Sequence, residues 1–464
     1  MSAVATRHPA PALHFDSVLL PDGWAEHVRI TITGGRIATL ERDAAPRAGE
    51  ERVGAVVSGM PNVHSHAFQR GMAGFTEFRG PDADNFWSWR TLMYRFVGHM
   101  SPDDLEAISA QAYVEMLESG FTRVGEFHYV HHDTGGNAYA NPAETTERIA
   151  AAATQTGIAL TLLPVFYAHG GFGGAVPNDG QRRFVLDVPR FARLFEDSLR
   201  IVAALPDARL GVAPHSLRAV TPGELADVVA LAPGGPVHIH AAEQTGEVEQ
   251  CVAWSGARPV EWLLDHAQLD QRWCLVHATH LTEDEVRRLA ATGAVAGFCP
   301  VTEANLGDGI APARPFIAAD GAFGIGTDSN VSIGAYEELR QLEYCQRLRD
   351  RARNVITHGT VRSTGRVLFD GAVRGGARSL GLAPDQAGIV MGAPADFVSL
   401  DLSSPVLMER RDDALLDSLI FAGGSRCVDS VWRAGVKLVE HGRHHARDAI
   451  GARFRTALAR VLES

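Results

Sequence analysis

Four segments of this 464-residue chain place imidazoles and carboxylates where they could act on one centre. His64-Ser65-His66 follows a short apolar run, and alternation along a strand points both rings to one face, where they can grip a single metal ion. His238-Ile239-His240-Ala241-Ala242-Glu243 ends a second such run, His277 a third and Gly326-Thr327-Asp328 a fourth. Three imidazole nitrogens and one carboxylate oxygen suit Zn2+, and Fe2+ or Mn2+ accept the same donors. A carboxylate beside such a metal can move protons, the part open to Glu243. His238 and His240 share a face. His240 lies nearer the C-terminal end of its run and is the expected ligand, whereas His238 reads as a packed imidazole one layer deeper. His128, His131, His132 and Asp133 form another dense cluster, for which ordinary hydrogen bonding after a strand is the expected role.

Residues this far apart need strands to bring them together. From about residue 58 to 330, short β-branched runs alternate with longer stretches rich in Ala, Leu, Glu and Arg, the rhythm of a parallel sheet with crossover helices. The predicted strands are 60–66, 122–129, 160–167, 210–215, 237–243, 273–277, 294–300 and 323–328. Eight is the number a closed barrel requires. A doubly wound open sheet would carry a glycine-rich nucleotide turn after its first strand, and here that strand ends in His-x-His. The chain is therefore expected to be α/β, with a (β/α)8 TIM-like barrel over residues 58–382. A small β-sandwich domain is expected from both chain ends, 1–57 and 383–464. Its signals are 28–40 around Gly34-Gly35, 388–402, and 428–441 around Gly435. Residues 363–382 read as the last barrel helix, 446–464 as a terminal helix, and Gly170 to Gly174 as a flexible lid.

Composition narrows the function. A net charge of −12 and a pI near 5.9 argue against a nucleic-acid partner, which needs a basic face. Five cysteines without a C-x-x-C pair indicate neither a thiolate zinc site nor a disulfide framework, and fit a reducing cytoplasm. Residues 1–14 lack a basic stretch leading into an apolar run, and no segment has the length of apolar sequence that a membrane span needs, so export and membrane insertion are not expected. The single lysine is Lys437. A phosphate-loop lysine, a Schiff base and a carboxylated lysine bridging two metals are thus all excluded from the barrel.

A His-x-His on strand one, His-x-x-Glu on strand five, His on strand six and Asp on strand eight resemble the amidohydrolase superfamily, mononuclear deaminase branch. The likeness spans nearly the whole chain, including the closing segment Gly388-Ile389-Val390-Met391-Gly392-Ala393-Pro394-Ala395-Asp396. It implies one Zn2+ per subunit held by His64, His66, His240 and Asp328, with Glu243, His277 and Asp328 handling protons. It also implies a homodimer. Finer stretches, 60–74 (MPNVHSHAFQRGMAG), 125–129 (GEFHY), 213–218 (APHSLR) and 299–309 (CPVTEANLGDG), resemble branch members that act in histidine degradation on a formimino group carried by glutamate.

Such a substrate is a small dicarboxylate and needs cationic partners. With lysine absent from the barrel these are arginines, whose guanidinium binds carboxylate bidentately. Arg218, three residues past His215, is the first candidate and Arg90 the second. Gln69, Tyr129 and His215 could complete the hydrogen bonding. The competing expectation, a deaminase of a nucleobase or nucleoside with the same ligands, calls for an aromatic-lined pocket instead of two arginines. A barrel that only binds metal or ligand would have no use for Glu243.

Overall fold

The computed structural model describes residues 12–79 and 84–463. Its larger unit is a barrel of parallel strands, Met60–Ser65, Phe121–His128, Ala159–Phe166, Arg209–Leu210 with Ala213–Pro214, Val237–Ala241, Trp273–His277, Val295–Phe298 and Ala322–Ile325. Both faces of these strands are covered, which explains their near-continuous apolar runs such as Ala159–Phe166, buried along its whole length. Helices between them start where the sequence supplies caps: Ser101, Thr221 and Thr282 each accept from the backbone three residues on, and Asp104, Glu224 and Glu285 reach back.

Strands one and eight meet through Asn62 and Ile325, and the contact continues past both strands. The amides of Thr327 and Asp328 donate to the His64 carbonyl at 3.0 Å, and that of His66 to the Asp328 carbonyl at 2.9 Å. The circle closes between strands four and five through Val212 N to Pro236 O, His238 N to Val212 O, and His240 N to His215 O, at 2.9 to 3.0 Å. Strand four is not the continuous run expected over 210–215 but two two-residue pieces. Gly211 brings its backbone so close to the next strand that a Cβ there would sit 2.5 Å from the Pro236 carbonyl, and Pro214 has no N–H for a ladder.

The last barrel helix, Thr364–Ser379, crosses the floor beneath strands one and eight. Gly375 makes this possible, because a Cβ there would overlap the Phe323 carbonyl. His238 points down to it and bonds the Ser379 carbonyl through Nε2 at 2.8 Å, the packed role expected for that imidazole.

The chain ends combine in one continuous, mainly antiparallel eight-stranded sheet. The N-terminal part gives Ala12–Leu20, Gly23–Thr33, Arg36–Glu41 and Glu51–Ser58; the C-terminal part gives Phe397–Leu400, Val428–Arg433, Val436–Glu440 and Arg443–His444. Leu13, Phe15, Val28, Ile30, Phe397 and Trp432 form its own apolar core. Residues 388–395, expected to be extended with 396–402, are irregular and tie to Ile37 through the Ala393 carbonyl and Gly392 amide. The terminal helix, Arg447–Glu463, lies on Pro102–Glu118, with ion pairs from Arg447 to Glu118 and from Arg453 to Glu106. Among the described residues, no helix is long and apolar enough to cross a membrane.

Candidate metal and proton-transfer site

At the C-terminal mouth of the barrel, His64, His66, His240 and Asp328 turn one ligand atom each toward a common point, all within 4.8 Å of one another. His64 Nε2 lies 3.2 Å from His66 Nε2, 3.1 Å from His240 Nε2 and 3.3 Å from Asp328 Oδ1. The other nitrogens of two rings explain this convergence. His66 Nδ1 is 3.0 Å from the Phe127 carbonyl, and His240 Nδ1 is 3.0 Å from the His215 carbonyl. A carbonyl only accepts, so each Nδ1 carries the proton and each Nε2 presents a lone pair. Lone pairs facing one another at such distances repel unless a cation lies between them.

Protonation agrees. Burial holds His64 down to about 3 and pushes His66 and His240 below the usual imidazole range. Burial alone would raise Asp328, but His64, His277 and His66 outweigh it and keep the carboxylate ionised. Neutral imidazoles beside an ionised carboxylate are the forms that bind metal, so these residues fit a divalent cation.

Buried polar side chains fix the donors from below. Asn62 accepts from Thr327 N at 3.1 Å and donates to Thr327 Oγ1 at 2.7 Å. Asn330 shares its two N–H groups among Ser65 Oγ and the carbonyls of His66 and Asp328, each at 3.1 Å, and accepts from Thr327 Oγ1 at 2.6 Å. Backbone strain gathers here too: Ala242, His277, Asp328 and Asn330 all have positive φ, between 44° and 70°.

Glu243 and His277 lie beside the cluster. His277 Nε2 is 3.8 Å from Glu243 Oε1 and 3.9 Å from Asp328 Oδ2. Burial raises Glu243 above the usual carboxylate range, with His277 and Arg218 drawing it back, so it leans toward the protonated form a proton donor needs. Glu243 and His277 titrate as one pair: burial opposes charge on His277, and an ionised Glu243, with Glu303 and Asp328, pushes it up to about 10. With the proton on Glu243, the imidazole loses its largest support for charge and is left neutral and able to accept. Glu303 enters through this contact: its Oε1 lies 3.4 Å from His277 Nδ1 and accepts from Cys299 N at 2.8 Å. Sequence reasoning marked its segment as informative without giving this side chain a part.

A cavity opens above the cluster and is lined by Gln69, Arg90, Tyr129, His215 and Arg218, with Glu243, His277 and Asp328 at its base. The five residues expected to meet substrate are thus brought together. Gln69 Nε2 donates to Tyr129 Oη at 2.9 Å, leaving its own Oε1 buried without a partner. Arg218 lies 3.5 Å from Glu243 Oε2. Arg90 sits on the helix Phe86–His99, 4.5 Å over the Trp87 ring, and Arg218 is 5.9 Å from the same ring. Phe86, Trp89, Tyr94, Tyr167 and Phe184 also line the cavity, so aromatic rings and arginines occur together instead of as alternatives.

The other histidine cluster makes local bonds: His128 to Thr145 Oγ1 at 3.1 Å and His131 to the Val165 carbonyl at 2.8 Å. Among the described residues it offers no metal-binding group. In the loop expected to be a lid, Phe172 stacks on Trp254 with centroids 5.6 Å apart, and Gly170 reaches the cavity wall.

Residues 55–438 match the amidohydrolase family, and residues 11–54 match the N-terminal domain of formimidoylglutamate deiminase HutF. The chain is 49% identical to formimidoylglutamate deiminase of Pseudomonas aeruginosa over 97% of its length and 100% of that protein. It is 28% identical to a 5-methylthioadenosine/S-adenosylhomocysteine deaminase of Natronomonas pharaonis over 90% of this chain and 89% of that one. Among solved structures, an amidohydrolase from Brucella melitensis superposes with a TM-score of 0.94 at 57% identity, covering 97% of this chain and 99% of that chain. An adenosine deaminase from Xanthomonas campestris shares the fold, with a TM-score of 0.80 at 23% identity over 98% and 100% of the two chains.

Proposed function

The chain belongs to the amidohydrolase family, and on that premise we propose that it hydrolyses N-formimino-L-glutamate to N-formyl-L-glutamate and ammonia. The observation that carries this reading is the meeting, in one cavity, of a four-donor metal cluster with a proton-transfer pair and two arginines. His64, His66, His240 and Asp328 would hold one divalent ion, which we assign as Zn2+ on the chemistry of three nitrogens and one oxygen. Bound there, the metal supplies Lewis acidity that lowers the pKa of a coordinated water toward neutrality.

The rest is the work of side chains. Arg218 and Arg90 bind the two carboxylates, while Gln69, Tyr129 and His215 orient the formimino group. Gln69 Oε1 is a buried acceptor with no partner of its own beside the Tyr129 bond. As water adds to the formimino carbon, its proton passes to Asp328 or to His277 Nε2. Glu243 gives a proton to the nitrogen and takes up the proton of the new hydroxyl group. The proton held by Asp328 or His277 reaches the same nitrogen as the C–N bond breaks, so both protons of the water leave with ammonia and its oxygen becomes the formyl carbonyl. Such transfers contribute roughly 10²- to 10⁴-fold each. The arginines, more than the rings, set the substrate class, since a nucleobase has no carboxylate to offer them.

The five cysteines, none of them disulfide-bonded, support a cytoplasmic assignment. A homodimer rests on family resemblance alone and is checked by light scattering. Function is tested by ammonia release from N-formimino-L-glutamate beside guanine, cytosine and S-adenosylhomocysteine. Release from the first alone is expected, and its absence overturns the reading.

A further inference from the structure

We propose that Glu303 is a positioning residue for His277, selecting the tautomer and ring flip that turn Nε2 toward the reacting atoms. This rests on the reading of His277 as a proton acceptor. The imidazole stands at the end of strand six, where φ is +70° at His277 and +48° at Ala278, so a regular strand backbone does not aim it. Stacking on His240, with centroids 5.4 Å apart and planes 16° from parallel, fixes the ring plane. It leaves the flip open, because a half-turn about Cβ–Cγ keeps the plane and exchanges Nδ1 with a carbon.

Glu303 breaks that tie. Its Oε1, 3.4 Å from Nδ1, can only accept, so the bond requires Nδ1–H on this edge and leaves Nε2 free on the edge facing Glu243 and Asp328. The carboxylate is itself held by backbone. Its Oε1 accepts from Cys299 N at 2.8 Å, its own amide donates to the Cys299 carbonyl at 2.9 Å, and its carbonyl accepts from Asp308 N at 2.9 Å. Glu303 is 4% exposed and His277 1%, so water does not compete for the contact. When Nε2 takes a proton, the charge it gains faces a fixed carboxylate across the ring, as in other carboxylate–imidazole pairs that stabilise a transient imidazolium.

Capping of the short helix Pro300–Leu306 is a purely structural alternative, since the bond to Cys299 N alone would serve it. The two are separated with full-length, zinc-loaded wild type, Glu303→Gln and Glu303→Leu, by steady-state ammonia release and by imidazole 15N NMR of His277. Glutamine keeps an acceptor for Cys299 but removes the charge. Glu303→Gln is expected to lose roughly ten- to a hundredfold in kcat and Glu303→Leu roughly a thousandfold, with KM within about threefold of wild type. The His277 signals should move from one tautomer toward a mixture in Glu303→Leu, whereas Glu303→Gln, whose Oε1 can still accept from Nδ1–H, should keep the tautomer and lose only the charge. A kcat within about threefold of wild type in Glu303→Gln, a loss confined to KM, or unchanged His277 signals in Glu303→Leu would overturn the proposal. If Glu303→Leu does not fold, the kcat and KM of Glu303→Gln decide. Wild-type protein that releases no ammonia overturns the functional reading instead, and the NMR comparison still judges the Glu303–His277 contact.

Discussion

Asn330 offers the sharpest test of how the metal donors are held. It is fully buried, its φ is +55°, and its amide group serves Ser65 and the carbonyls of His66 and Asp328 while its oxygen accepts from Thr327. Asn330→Asp keeps the shape, the tolerance for left-handed backbone and the acceptor for Thr327, and replaces the NH2 donor by a carboxyl oxygen facing the His66 and Asp328 carbonyls. Each of the two carbonyls keeps one backbone donor, Gln69 N for His66 and His66 N for Asp328. Three bonds from the Asn330 amide are lost at about 0.5–1.5 kcal/mol each, so a loss of about 2–4 kcal/mol is expected. Those carbonyls belong to two of the four metal donors, so the damage reaches the site. Metal affinity should fall roughly 10- to 100-fold, the usual effect of removing an outer partner. Asn330→Ala should do worse by about 1–2 kcal/mol, because alanine resists positive φ. Chelator competition measures the affinity and urea unfolding the stability. An Asn330→Asp protein with wild-type metal affinity and midpoint would show that the bonds to Asn330 do not hold the donors.

Arg218→Met removes a carboxylate partner while keeping side-chain length, and should cost roughly 100-fold in kcat/KM, carried mainly by KM. An unchanged KM for the dicarboxylate would remove Arg218 from substrate binding. Gly375→Ala forces a methyl group into the Phe323 carbonyl and should destabilise the fold by about 3 kcal/mol; a thermal midpoint equal to wild type would mean the floor helix can shift freely. Burial raises Glu126, on strand two, to about 8, so the native state binds a proton that the unfolded state releases near pH 4.5. The contribution of this group should therefore be fully present below that pH and fall by at most about 1.4 kcal/mol for each pH unit up to about 8, levelling beyond it, on top of the opposite trend set by the buried neutral histidines. Glu126→Gln should flatten this dependence in urea titrations of metal-free protein, and an identical slope in both proteins would contradict it.

What the sequence revealed follows from period. Alternation put His64 and His66 on one face and ranked His238 below His240, because position along a strand is also depth in a barrel. The amidohydrolase family match spans residues 55–438, which hold all eight barrel strands. Glu303 stayed hidden because it reaches His277 from a helix after the next strand, a contact no local spacing encodes. Asn62, Thr327 and Asn330 were equally silent: small polar residues are common in loops, and only burial gives their hydrogen bonds consequence. The break in strand four depended on how near the Pro236 carbonyl comes to Gly211, a distance set by closure of the whole circle. The flanking sheet showed its strands but not their pairing, since antiparallel partners drawn from opposite chain ends share no turn.

The seam between strands four and five brings two cavity-lining side chains beside a metal donor, since the His215 carbonyl holds His240 Nδ1. The metal donors and the proton pair stand on strands one, five, six and eight, joined by ladders and by the asparagine network. His215 and Arg218 follow the two short pieces of strand four, where a few backbone bonds complete the circle. The other proposed substrate residues, Gln69, Arg90 and Tyr129, follow strands one and two. A new side chain at Arg218 would change which molecule is admitted and also retune Glu243, 3.5 Å away, so selection of the substrate and delivery of the proton are linked through one guanidinium.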